Sequence, residues 1–164
     1  MSGSVLKVNN ELLLLPLHFR EAVQQAIEDC RVQGLDPLVY EGYRSQELQA
    51  LYYARGRTVI PPTKPVTNAS SNLYSWHGYC LAVDVISEAH GWEPPGGEKW
   101  FARVAEHFRR HGCRWGGEWK IRDLPHFQWG RCKPSPSEVA RQLIRTQGLE
   151  AVWLAVGAIP ALPR

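Results

Sequence analysis

The segment Ser75-Trp76-His77-Gly78-Tyr79-Cys80-Leu81-Ala82-Val83-Asp84-Val85-Ile86 carries the chain out of a polar loop and into an apolar strand that holds a single acid. A carboxylate at Asp84, among Leu81, Ala82, Val83, Val85 and Ile86, is costly to bury unless paired, hydrogen-bonded or bound to a cation. An ion pair with a core arginine would meet that requirement. So would a metal, because His77 stands seven positions earlier at the end of the loop, where a turn can bring imidazole and carboxylate together. Residues 57–76, rich in Pro, Thr, Asn and Ser, read as a long loop, and loops of that length in a compact domain are usually functional or disordered.

Working outward, Phe19, Val23, Ala26, Ile27 and Cys30 recur at helical spacing between Pro16 and Gly34, which predicts an amphipathic helix over 17–33. Leu38 to Tyr43 reads as a short strand. Ser45 reads as the cap of a second helix bearing Leu48, Leu51 and Tyr52 and stopping near Gly56. Beyond the strand at 80–86, a turn at Pro94–Gly97 precedes a helix with Trp100, Phe101, Val104, Ala105 and Phe108 on one stripe, ended by Gly112. Short strands follow around Cys113–Trp115 and His126–Trp129. Ser135 as cap, Pro136 at the first helical position and Glu138 as capping-box acid predict a helix over 136–147, paired with one over 149–157. Val139, Leu143, Ile144 and Trp153 would pack that pair on the rest. There is no internal repeat, and the sum is an α+β domain: a small, mainly antiparallel sheet with helices packed on one face.

His126 is the second notable histidine, in Asp123-Leu124-Pro125-His126-Phe127-Gln128-Trp129. Pro125 biases Leu124 away from the helical region, so the segment is extended or a turn. There, one of Asp123 and His126 can hold a metal while the other faces its water. Two imidazoles and a carboxylate form a three-ligand set that leaves a fourth zinc position open, the catalytic arrangement. Spacing alone supports this weakly. The residues are dispersed, unlike a compact HExxH pair, and a lone histidine is more often a hydrogen-bonded core residue.

Residues 75–84 resemble the S-x-H-x-x-G-x-A-x-D signature of the zinc D-Ala-D-Ala carboxypeptidase and L-alanyl-D-glutamate endopeptidase family, and Asp123-Leu124-Pro125-His126 resembles its acid-x-x-His motif. Accessory pieces follow in order: Tyr43-Arg44-Ser45, Gly56-Arg57-Thr58, Val66-Thr67-Asn68-Ala69 and Trp115-Gly116-Gly117-Glu118-Trp119-Lys120. The likeness runs from Leu38 to Trp129 and is nearest to the endopeptidase branch, common among phage endolysins. It implies a hedgehog/D-Ala-D-Ala peptidase-like fold with Zn²⁺ held by His77, Asp84 and His126. It further implies Asp123 as general base, and Arg44 holding a substrate carboxylate or developing oxyanion, with a surface ion pair as the alternative for Arg44. Ser75 would orient His77 or cap the loop, and Trp76, Trp115 and Trp119 would line a groove or belong to the core. One departure is Cys80, where the family has glycine. It implies a tolerated conformation or slight strain, and adds a thiol that could compete for zinc.

The implied function is hydrolysis of the peptidoglycan stem peptide, as an L-alanyl-D-glutamate endopeptidase of a phage or prophage lysin. A D-Ala-D-Ala carboxypeptidase and a non-catalytic, zinc-stabilised wall-binding module are the alternatives. Residues 1–133 would form the peptidase domain and 134–164 a helical extension on it, as packing or as a wall-binding appendage. Composition agrees with an ordinary globular chain: 164 residues, 44% hydrophobic and 21% charged. The net charge of +3 favours anionic polymers without naming one, and the scattered Lys and Arg give no nucleic-acid footprint. The apolar block Leu12–Leu15 before Pro16 is far short of the ~20 residues of a membrane span, and no signal peptide is read. Together with the resemblance, this implies a monomer made in the cytoplasm without membrane insertion, acting on the wall after release. Cys30, Cys80, Cys113 and Cys132 lack CxxC spacing and should be reduced, with a Cys113–Cys132 bridge open if their segments pair.

Overall fold

Among the described residues, four short strands pair antiparallel throughout in the order β1-β2-β4-β3: β1 Pro37–Glu41, β2 Ala82–Ser87, β3 Cys113–Trp115 and β4 His126–Trp129. The computed structural model describes residues 6–163. Side chains alternate across the pleat, so Val83 and Val85 of β2 turn to one face while Asp84 and Ile86 turn to the other. The first face is covered by α1 (Leu17–Val32) and α3 (Glu98–Arg110), whose apolar stripes close over the strands. Phe19, Val23, Ala26 and Cys30 from α1 and Phe101, Val104, Ala105 and Phe108 from α3 meet Val39, Val83, Val85 and Phe127. Phe108 lies against Phe127 with ring centroids 4.3 Å apart. Each such fully buried large side chain contributes about 1.5–3 kcal/mol, so this layer anchors the sheet behind the site.

The opposite face carries the chemistry. A bulge between Val39 and Glu41 resets β1 so that Glu41 pairs with Asp84, and Asp84 pairs with His126. Glu41, Asp84 and His126 thereby form one rung across three strands. The helix α2 (Gln46–Ala54) starts where expected, with the Ser45 hydroxyl accepting from Leu48 N–H at 3.1 Å.

The C-terminal pair is α4 (Glu138–Gln147) and α5 (Leu149–Ala155). Its cap is Ser137 rather than Ser135: the Ser137 hydroxyl accepts from Ala140 N–H at 3.2 Å. Arg141 reaches back to the Pro136 carbonyl at 2.7 Å, which holds the proline outside the helix. Ala140 and Val152 join Trp76, Tyr79, Leu81, Ala82, Cys132 and Ala158 in a second apolar cluster. Two indoles stitch it: Trp153 donates to the Tyr79 carbonyl at 2.8 Å and Trp129 to the Val156 carbonyl at 2.7 Å. All four cysteines are buried and free, so Cys113 and Cys132 form no bridge.

Candidate metal centre

The long loop ends in a 3₁₀ turn, Trp76–Tyr79, that presents His77 to the sheet. The Ser75 hydroxyl accepts from the His77 backbone N–H at 3.3 Å and so caps the turn, without touching the imidazole. Gly78 lies so close to the Asn72 carbonyl that an added Cβ would stand 2.1 Å from its oxygen. Cys80 ends the turn at φ 58°, ψ 29°, the one non-glycine with positive φ among the described residues. That left-handed step, natural for glycine and strained for other residues by about 1–2 kcal/mol, turns the chain into β2. Burial pushes the Cys80 thiol up to about 12, and among the described residues it does not join the cluster of metal-capable groups.

That cluster is His77, Asp84 and His126, whose donor atoms all lie within 4.8 Å of one another. His77 Nε2 stands 3.4 Å and His126 Nδ1 3.7 Å from Asp84 Oδ1. Donors 2.0–2.2 Å from a tetrahedral zinc lie about 3.4 Å apart, so the spacing fits a zinc ion with little adjustment. The remaining ring nitrogens are already committed. His77 Nδ1 meets the Gly42 carbonyl at 2.8 Å and His126 Nε2 meets Gln128 Oε1 at 2.9 Å. Outer partners of this kind fix the tautomer and aim the bare nitrogen at a metal.

Asp84 is 15% exposed, yet its carboxyl is held well below the usual range. Burial alone would raise it; the adjacent His77 and His126 more than offset that. Burial likewise opposes the charge on His126, but Asp84 and Asp123 hold that imidazole's pKa up. Arg44, 7% exposed, is no surface ion pair. Its Nη2 donates to Asp84 Oδ2 at 3.5 Å, its Nη1 to Gln49 Oε1 at 3.0 Å and its Nε to Glu41. The guanidinium also sits over the Tyr52 ring, 4.7 Å from its centroid. Gln49 in turn donates to the Ala69 carbonyl at 2.7 Å, tying the loop to the arginine.

Asp123 stands at the rim, its side chain 50% exposed and its Oδ2 3.9 Å from His126 Nδ1. Partial desolvation, then the charge of Asp84, raises its pKa. Trp119 packs against His126 with centroids 4.8 Å apart and remains partly open to solvent. Trp76 and Trp115 are core residues, donating to the carbonyls of Lys133 and Leu124, each at 2.7 Å. Sequence pattern did not single out Gly42, Glu41, Gln49 or Gln128. Only the period-two alternation of β4, which sets Gln128 on the same face as His126, carried a signal for any of them.

An α+β domain presenting two imidazoles, one buried carboxylate and a rim carboxylate on the open sheet face has the layout of a mononuclear metallopeptidase. Comparison with known proteins agrees. Residues 68–129 match the family model described as D-alanyl-D-alanine carboxypeptidase. The peptidoglycan L-alanyl-D-glutamate endopeptidase CwlK of Bacillus subtilis (strain 168) is 32% identical over 106 residues, which cover 58% of this chain and 62% of the relative. The chain thus spans about three fifths of that relative's length. The Serratia marcescens L-Ala D-Glu endopeptidase ChiX superposes with a TM-score of 0.53 at 26% identity, over 72% of this chain and 82% of that one. The vancomycin resistance D,D-pentapeptidase VanY, solved with Zn(II), shares the fold with a TM-score of 0.50 at 20% identity, over 89% of each chain. The chain is thus similar, over its middle part, to D-alanyl-D-alanine carboxypeptidases and to L-alanyl-D-glutamate endopeptidases.

Proposed function

We propose that this chain is a zinc-dependent peptidoglycan hydrolase that cuts the stem peptide, and specifically an L-alanyl-D-glutamate endopeptidase. The observation that carries the reading is the pairing of a three-donor cluster with a carboxylate, Asp123, that stands beside it without joining it. A structural zinc site needs no such neighbour. The endopeptidase specificity is supported by two relatives above 25% identity, CwlK and ChiX, both L-alanyl-D-glutamate endopeptidases by name.

His77, Asp84 and His126 would hold the ion. Bound zinc supplies Lewis acidity, polarising a carbonyl and lowering the pKa of water toward neutrality. Asp123 takes the proton of the attacking water and returns it to the leaving amine, from its place at the rim of the donor cluster. Arg44 holds Asp84 Oδ2, which leaves Oδ1 to face both imidazoles. The fixed guanidinium fork keeps this geometry, and its remaining N–H groups are where a substrate carboxylate or oxyanion would be met. Trp119 forms the wall beside His126, and Ser75 secures the turn that carries His77.

No helix among the described residues is long and apolar enough to cross a membrane. Work on the wall after release from the cytoplasm, in the manner of a phage lysin, fits the reading. The test is mass spectrometry of purified peptidoglycan after digestion, with and without chelator. Chelator-sensitive fragments bearing a new N-terminal D-glutamate are expected. Release of D-alanine alone would select the carboxypeptidase reading instead. Wall binding with no product under any metal condition would select the non-catalytic module.

A further inference from the structure

Gln128 lies two positions past His126 on β4 and is fully buried. Its Oε1 faces His126 Nε2 at 2.9 Å, while its amide nitrogen donates to the Lys133 carbonyl at 2.8 Å, with the Cys132 carbonyl at 3.5 Å. The two carbonyls can only accept, so the nitrogen end of the amide must point at them and the oxygen end at the imidazole. An oxygen there requires Nε2 of His126 to carry the proton, which leaves the lone pair on Nδ1. Nδ1 is the atom that faces Asp84. The same Lys133 carbonyl accepts from Trp76 Nε1 at 2.7 Å, and Trp76 opens the 3₁₀ turn that bears His77.

We propose that Gln128 is a positioning residue for the metal centre: the Lys133 carbonyl orients its amide, the amide fixes His126 as the Nε2–H tautomer, and the same carbonyl anchors the His77 turn through Trp76. This rests on the metal reading above and goes beyond it, because it assigns the ligand geometry to a carbonyl at the junction with the C-terminal helices. The Lys133 carbonyl is then part of the metal site's support. Outer partners of metal-bound histidines are worth about 10–100-fold in metal affinity.

Two measurements on the full chain test it. In metal-stripped wild type at alkaline pH, where the imidazole is neutral, long-range ¹⁵N–¹H correlation should show His126 protonated on Nε2. By chelator competition, Gln128→Leu should bind zinc about 10–100-fold more weakly than wild type. Gln128→Glu, which keeps an acceptor toward His126 and loses the donor to Lys133, should recover part of that loss. An Nδ1–H tautomer in the wild type, or wild-type zinc affinity in Gln128→Leu, overturns the proposal. If Gln128→Leu does not fold, the wild-type tautomer decides alone. A wild type that binds no zinc at all sinks the metal reading, a result distinct from a wrong tautomer in a protein that does.

Discussion

Replacing Asp123 by Asn separates catalysis from metal binding, because the two effects should differ in scale. Asp123 Oδ2 lies 3.9 Å from His126 Nδ1 and its side chain is half exposed, so it acts on the site as a screened charge and not as a donor. A unit charge at that range is worth about 1 kcal/mol in water-like surroundings, and about 2 kcal/mol against a dication. Loss of the charge should therefore weaken zinc by roughly 30-fold where screening is water-like and by more where it is weaker, and excess zinc restores full occupancy. Loss of a general base costs about 10²–10⁴ in rate, which is roughly 3–5 kcal/mol of barrier. The assay is release of soluble fragments from purified peptidoglycan at saturating zinc, with bound zinc counted in the same samples. Asp123→Asn should hold one zinc per chain and lose two orders of magnitude or more in rate. A variant that cannot be loaded with zinc would make Asp123 a ligand. A rate within tenfold of wild type would remove it from the chemistry.

Zinc affinity should fall as pH falls through the raised pKa of His126, because the metal needs a neutral imidazole and Asp84 and Asp123 hold His126 protonated above its ordinary value of 6.5. Asp84, held well below the usual carboxylate range, stays ionised there, so isothermal titration in that range should find protons released on zinc binding; an affinity flat with pH would contradict this. Arg44→Ala strips the partner from buried Glu41 and from Asp84, and should cost about 3–5 kcal/mol in chemical denaturation. A loss below about 1 kcal/mol would mean that water substitutes freely for the guanidinium. Trp119→Ala opens the wall beside His126 and should raise KM for stem peptide with the melting temperature nearly unchanged, and an unaltered KM would place substrate elsewhere.

The helices around the core were legible because their stripes are long and periodic: the burial of Phe19, Val23, Ala26 and Cys30 on α1 follows directly from their spacing. Asp84 stood out as the one acid of an apolar strand, and His77 at the end of a polar loop and His126 in an extended segment joined it through the motif resemblance; the structure brings the three together. Part of what could not be read was carried by groups every residue has. The carbonyls of Gly42 and Lys133 that orient the site leave no trace in residue type. The start of α4 was misplaced because Ser135-Pro136-Ser137 offers two caps around one proline, and only the folded contact of Arg141 with the Pro136 carbonyl distinguishes them. The tryptophans divided by depth: motif position did not tell the core indoles of Trp76 and Trp115 from Trp119.

The pairing of Asp84 with His126 across β2 and β4 has a consequence for how the protein is assembled. Side chains repeat every two residues along a strand, so a slip of one position would send His126 to the helix-covered face and bring an apolar neighbour in its place. A chain paired in that way offers zinc only the local His77 and Asp84. The ion therefore discriminates between sheets that differ by a single step, and at 100 times its dissociation constant it would favour the correct one by about 2.7 kcal/mol. Zinc in this protein would act as a proof-reader of strand alignment before it acts as a reagent.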